Sequence, residues 1–170
     1  MQTIDFWALL PLVQQYITEN YSAVLTDKEK LPQIKSYIEK YLRDMDYIAD
    51  GYTLNEVVDK LYSEMAEYSI LTKYLGSPNL EEININSWND IALTYLDGRI
   101  VKAKEHFHSP QHAVDIVKRL LHHSGMVIDN ATPIAQGHLP NNTRIAAVKT
   151  PVVDESCGIS ASIRFLHPHK

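Results

Sequence analysis

The hydrophobic periodicity of this chain changes near Pro78, and the change divides the sequence into two parts that must fold differently. Before Pro78, apolar residues recur at intervals of three and four, the spacing of helices with one buried face. From Glu82 to Asn86, polar and apolar residues alternate, which is typical of a half-buried strand. We therefore predict an α+β protein: about three helices over residues 1 to 75, then a small sheet domain over residues 76 to 166.

The helical part carries two copies of one helix-starting pattern, Thr26 with Glu29 and Thr53 with Glu56. In this capping box, the threonine and glutamate side chains each accept a hydrogen bond from a free backbone N–H of the first turn. The two copies predict that the second helix begins near Thr26 and that the third begins at Thr53 and runs through Leu71. Residues 1 to 75 are predicted to be helices only.

The sheet part is predicted to hold about six mostly antiparallel strands and one main helix. Asp97-Gly98 is a favoured hairpin pair because both residue types tolerate positive φ. Ser109 and Pro110 are typical of an N-cap and first helical position, and Gly125 of a helix end. The predicted strands are 82–86, 91–96, 100–107, 134–139, 144–149 and 158–165.

Composition narrows the class of protein. The chain has 170 residues, of which 45% are hydrophobic and 22% charged, as in globular domains. Its net charge of −5 argues against a nucleic-acid surface. No apolar run approaches the roughly 20 residues that span a bilayer. A single cysteine, Cys157, excludes disulfide scaffolds and thiolate zinc sites within one chain and fits a cytoplasmic protein.

Several short motifs follow one another in the second half. In chain order they are LEEININ (80–86), the LDG turn (96–98), DNATPI (129–134), LPNNTRI (139–145), PVV (151–153) and ISASIRF (159–165). Their order and spacing resemble the N-terminal domain of the traffic ATPases of type II and type IV secretion, especially the branch of Flp/Tad pilus assembly and type IV secretion. The resemblance covers about residues 75 to 166. It departs at Asn141-Asn142-Thr143, where the family often has Asp-Gly, and at Gln136-Gly137-His138, where it often has Asp-Ala-Arg.

The resemblance implies a regulatory and oligomerisation domain of a hexameric ATPase that powers protein secretion or pilus assembly. It implies ATP and Mg²⁺ as cofactors of the full-length protein. It also implies as partners the protein's own C-terminal ATPase domain, neighbouring protomers and the inner-membrane machinery, at the inner face of the cytoplasmic membrane. No glycine here precedes Lys-Ser or Lys-Thr as in a phosphate-binding loop. We therefore expect residues 167–170 to begin a linker to a catalytic domain that lies outside this chain. Without that domain, this chain should neither bind a cofactor nor hydrolyse ATP.

Two arginines, Arg144 and Arg164, are the candidate binding residues. By the resemblance, both contact the nucleotide phosphates held by the catalytic domain. Guanidinium is permanently charged, and its rigid fork of donors suits phosphate oxygens. The alternative is that both are ordinary solvated residues at strand ends, paired with Asp129 or Glu155. In this chain we expect both to face solvent.

Other reactive residues favour no site. The histidines at 106, 108 and 112 have a spacing that could suit a metal ion, but no carboxylate or cysteine completes the set. His122 and His123 fit a helix C-terminus, and His167 and His169 fit a solvated tail. Cys157 follows acidic residues, which disfavour its thiolate, and no nucleophile elbow is present.

A second hypothesis comes from a different class of protein. In it, the sheet part is a free-standing sensor of PAS-like shape, with a ligand pocket between the sheet and the main helix. A phosphate-binding loop in the reading frame beyond Lys170 would separate the two hypotheses.

Overall fold

The computed structural model describes residues 2–166, which divide between Ser69 and Ile70 into two compact units. The fold is α+β, as predicted: a mainly helical unit and a unit built on a six-stranded sheet. Among the described residues, no helix has the length and apolar character needed to cross a membrane. The predictions about His167 and His169 lie outside the described residues.

Within residues 2–69, the first unit has three α-helices and two short strands. They are β1 (Gln2–Ile4), α1 (Phe6–Leu25), α2 (Ile34–Met45), β2 (Tyr47–Ala49) and α3 (Leu54–Ala66). Strands β1 and β2 pair in parallel, so the prediction of helices only was wrong at these six residues. One apolar face of each helix forms the core, whose fully buried members include Leu9, Val13, Ile17, Ile34, Ile38, Leu42 and Leu61.

The two capping patterns have different outcomes. At α3 the box forms: Thr53 N–H donates to Glu56 Oε1 over 2.9 Å, and Glu56 N–H donates to Thr53 Oγ1 over 3.2 Å. Thr26 instead follows the last turn of α1, where its hydroxyl donates to Ala23 O over 3.1 Å. The predicted start of the second helix near Thr26 is therefore wrong, because the preceding helix continues to that threonine.

The third predicted helix is interrupted before Leu71. α3 ends at Ala66, and a separate helix α4 spans Leu71–Leu75. Between them Ser69 has a left-handed φ of 55°, which a continuous right-handed helix does not allow. The hydroxyl of Ser69 donates to the buried carboxylate of Glu64, which gives this break a polar contact that the apolar pattern did not reveal.

The second unit contains α4, the sheet and one long helix, α5 (Pro110–His123). Every neighbouring pair of strands is antiparallel, in the order β5-β4-β3-β8-β7-β6. The strands are β3 (Leu80–Ser87), β4 (Asp90–Tyr95), β5 (Ile100–Lys102), β6 (Ile134–Leu139), β7 (Thr143–Lys149) and β8 (Ile159–Phe165). The N-cap at Ser109 and the end of α5 before Gly125 match the prediction.

The strands and α5 enclose one apolar layer, so the opposite face of the sheet presents polar groups. α5 packs against β8. Strand β8 alternates as predicted: Ile159, Ala161 and Ile163 are buried, while Arg164 is exposed on the other face. Apolar residues of β3, β4 and β7 join the same buried layer, including Ile83, Ile85, Ile91, Leu93, Ile145 and Ala147.

One local prediction in the sheet part needs correction, and another is confirmed with a difference in detail. Strand β5 ends at Lys102 and not at Phe107, because Phe107 N–H leaves the ladder and donates to Trp88 O over 2.9 Å. The hairpin at Asp97-Gly98 is present, but only Gly98 has positive φ, at 90°. Asp97 instead accepts from Arg99 N–H over 3.0 Å, so its side chain holds the turn.

Candidate anion-binding surface

The two candidate arginines lie directly opposite each other on adjacent strands. Arg144 of β7 and Arg164 of β8 are register partners in the antiparallel ladder. The same register continues outward on both sides, because His138 pairs with Arg144 and Glu82 pairs with Arg164. These four residues form a line across the sheet, called here the arginine row.

The local sequence explains why the arginine row faces solvent. On β7 and β8, alternate residues such as Ile145 and Ile163 are buried, so the even-numbered positions point to the other face. The turn before Arg144 is held by Asn141 and Asn142, with φ values of 64° and 57°. Asparagine is one of the few residue types other than glycine that tolerate this left-handed conformation.

Glu82 is the carboxylate nearest to this pair of like charges. Its Oε2 lies 3.9 Å from Arg164 Nη2, and its Oε1 accepts a hydrogen bond from Ser162 Oγ over 2.6 Å. The Arg164 side chain is 61% exposed, whereas that of Glu82 is 20% exposed. This distance is close to the longest that still counts as an ion pair, and the pair is partly solvated. The Arg164 guanidinium therefore remains accessible.

Arg144 forms no ion pair or side-chain hydrogen bond within residues 2–166. Neither Asp129 nor Glu155 pairs with either arginine in this part of the chain, so the partners named in the alternative hypothesis are not used. Two opposed guanidinium groups with a single weak carboxylate contact leave an excess of positive charge. Like charges directly opposite on a sheet repel, and an anion bound between them would remove that repulsion.

The arginine row borders a surface concavity of about 450 Å³. Its floor is the polar face of β6, β7 and β8. The lining residues are Gln136, Gly137, His138, Arg144, Ile145, Ala146, Ser162 and Arg164. Gly137 is the register partner of buried Ile145, and a Cβ there would lie 2.7 Å from Met126 Sδ, so the missing side chain leaves room on the buried face and not in the concavity. Both arginines thus share one concave surface with hydroxyl and amide groups.

Glu82, Ser162 and His138 are polar members of this surface that the sequence did not identify as site residues. The alternation of β8 placed Ser162 on the same face as Arg164, which was the available signal. The pairing of β3 with β8 joins residues 80 apart in sequence, Glu82 and Ser162. No local pattern contains that pairing.

The other candidate residues are engaged elsewhere. His108 N–H donates to His112 Nδ1 over 2.9 Å at the start of α5, and His106 Nδ1 lies 2.6 Å from Phe107 O. Within residues 2–166, no group of three or more His, Cys, Asp or Glu side chains is placed to hold a metal ion. Cys157 is a half-buried free thiol before β8, and His122 and His123 occupy the last turn of α5.

Comparison with known proteins gives similarity in structure but none in sequence. No family model and no curated protein matches the chain. Among solved structures, the chain is similar to the VirB11 ATPase from the Brucella suis type IV secretion system, solved in complex with sulphate. The sequence identity is 19% and the TM-score 0.48, over 59% of this chain and 30% of that one. The match thus spans less than a third of that ATPase, whose activity belongs to the longer protein.

Proposed function

We propose that this chain is the N-terminal regulatory and oligomerisation domain of a hexameric ATPase that powers protein secretion or pilus assembly. In this proposal, Arg144 and Arg164 donate hydrogen bonds to the phosphates of ATP, which a catalytic domain binds with Mg²⁺. The partners are that domain, neighbouring protomers and the secretion or pilus machinery at the inner face of the cytoplasmic membrane. The order of motifs along residues 75 to 166 supports the family.

The register of the two arginines is the observation that carries the proposal. Arg144 and Arg164 come from motifs 20 residues apart, yet they are direct partners across β7 and β8. Neighbouring strands lie about 4.8 Å apart, so two guanidinium groups side by side can donate hydrogen bonds to oxygens of one phosphate chain. Solvated arginines with a purely structural role would not need this repulsive arrangement.

The surroundings of the pair suit a transient anion. Arg164 meets Glu82 only at 3.9 Å, and Ser162 fixes that carboxylate from the other side over 2.6 Å. The carboxylate holds the guanidinium near the sheet without neutralising it fully. When a more highly charged phosphate arrives, Arg164 can turn from the carboxylate to the phosphate, while Arg144 has no partner within residues 2–166 to release.

The test uses the gene product extended beyond Lys170. The reading frame should encode a phosphate-binding loop, G-x-x-x-x-G-K-[ST], downstream of this chain. In that protein, Arg144→Ala and Arg164→Ala should each lower the ATPase rate about a hundredfold or more, because such arginines stabilise charge on the transferred phosphoryl group. The melting temperature of each variant should remain close to that of the parent.

Arg99→Ala is the matched control. Arg99 is similarly exposed, at 66%, and pairs with Asp97 at the β4–β5 turn, away from the arginine row. Its loss should leave the ATPase rate unchanged. Equal activity of all three variants would refute the phosphate role. A reading frame without a nucleotide-binding module would refute the ATPase assignment and favour the sensor hypothesis.

A further inference from the structure

A second cationic site lies at the opposite end of β7. Lys149 is only 7% exposed, although burial of an ammonium group is costly without a charged partner. Its Nζ donates to Asn130 Oδ1 and, over 3.3 Å, to the backbone oxygen of Thr150. Both acceptors are neutral, and Lys149 pairs with no carboxylate within residues 2–166. The ammonium keeps an uncompensated charge and one further N–H.

This lysine borders a cavity of about 520 Å³. Lys118 of α5 lines the same cavity, is exposed, and forms no ion pair in the described part of the chain. Glu155 is the one carboxylate among the lining residues, so two positive charges face one negative charge. Pro110 and Val114 add apolar surface. The volume lies in the range of pockets that hold small organic ligands.

We propose that this cavity binds a small phosphorylated ligand, with the phosphate group between Lys149 and Lys118. Ammonium groups bind phosphate as point charges. A dianion at this position would supply the charged partner that the buried ammonium lacks. The apolar residues would contact the organic part of the ligand. The site is independent of the arginine row, because Lys149 and Arg144 are five positions apart on β7 and lie on opposite faces.

The competing explanation gives Lys149 a structural role only. Its hydrogen bond to Asn130 attaches the loop before β6 to the end of β7, and Lys149 N–H also donates to Pro133 O over 2.9 Å. A lysine that only ties these segments together needs no ligand and does not depend on Lys118. The two explanations therefore differ in whether Lys118 contributes to anything measurable.

The experiment is a titration of this 170-residue chain with glycerol 3-phosphate, followed by two-dimensional ¹H–¹⁵N spectroscopy at constant ionic strength. We expect saturable shifts of the amide signals of Lys118, Asn130 and Thr150, which border the cavity. Lys118→Gln should weaken this binding about tenfold, the effect of one charge-assisted hydrogen bond. Lys104→Gln, at another exposed lysine, should leave the affinity unchanged. Lys149→Met should abolish the shifts if the variant folds.

Inorganic phosphate and acetate test whether the cavity prefers phosphate. Arg144→Ala tests whether the ligand binds at the cavity or at the arginine row. Inorganic phosphate should bind more weakly at the same residues, and acetate should not saturate. Equal affinity for acetate would overturn the preference for phosphate. Unchanged affinity in Lys118→Gln, or shifts confined to the arginine row and lost in Arg144→Ala, would overturn the second site whatever the fate of Lys149→Met.

Discussion

Strand β7 carries two kinds of cation. Arg144 near its start is exposed, stands opposite another arginine and has no partner within residues 2–166. Lys149 at its end is buried and donates to two neutral oxygens. An exposed charge costs the fold little and remains available to a ligand, whereas a buried charge is tied into the structure. The same strand thus carries one cation that is exposed and without a partner in this part of the chain, and one that is buried and supports the fold.

The strongest test of this contrast keeps the charge of the arginine row and changes its shape. Arg144→Lys with Arg164→Lys preserves two positive charges but removes the rigid forks. In the extended protein we expect the ATPase rate to fall about a hundredfold, with little change in melting temperature. Steady-state ATPase assays and thermal melts measure both quantities. Full activity of the double lysine variant would show that charge alone suffices.

The free energy of unfolding should depend more on Lys149 than on Arg144. Lys149→Ala removes a buried donor and leaves the Asn130 side chain without this contact, so the free energy of unfolding should fall by about 1–3 kcal/mol. Arg144→Ala, on the exposed face of the same strand, should change it by no more than about 0.5 kcal/mol. Urea denaturation followed by circular dichroism measures the difference. Equal losses in the two variants would remove the distinction between the two cations.

The turn before Arg144 belongs both to the fold and to the candidate site, so its stability can be tested separately. Asn142 has a φ of 57°, and its backbone oxygen accepts from Leu166 N–H over 3.1 Å. Asn142→Ala should destabilise the protein by about 1 kcal/mol, because an alanine Cβ disfavours the left-handed region. Asn142→Gly should cost less, because glycine adopts that region freely. The same denaturation assay compares the two variants. A glycine variant that is less stable than the alanine variant would contradict the explanation by the left-handed φ.

The smallest expected effect concerns Glu82. Glu82→Gln removes the carboxylate charge 3.9 Å from Arg164 but keeps an acceptor for Ser162. Because the carboxylate competes with phosphate for the guanidinium, we expect tripolyphosphate to bind the arginine row about threefold more tightly, in keeping with the small energy of a partly exposed ion pair. Shifts of the Arg144 and Arg164 amide signals measure this affinity. Weaker binding would mean that Glu82 positions Arg164 for the anion instead of competing with it.

The capping patterns show how far local sequence predicts structure. Thr53 and Glu56 form their box, whereas Thr26 and Glu29 have the same spacing and do not. The difference arises because α1 continues to Leu25, so Thr26 closes one helix and cannot open the next. β1 and β2 were missed for a similar reason: each has three residues, and each is a strand only because the other lies beside it. Short elements that depend on distant partners leave no periodic signal.

The sequence alone determined the division into helical and sheet parts, the alternation of β8 and the cap of α5, because these depend on neighbours within a few residues. It also singled out Arg144 and Arg164 through the motifs that contain them. Only the tertiary structure decided that the two arginines are register partners, that Glu82 and Ser162 join them, and that Lys149 is buried beside a cavity. These facts depend on the pairing of β3, β7 and β8 across long stretches of chain, and such pairing is fixed by the packing of the whole sheet against α5.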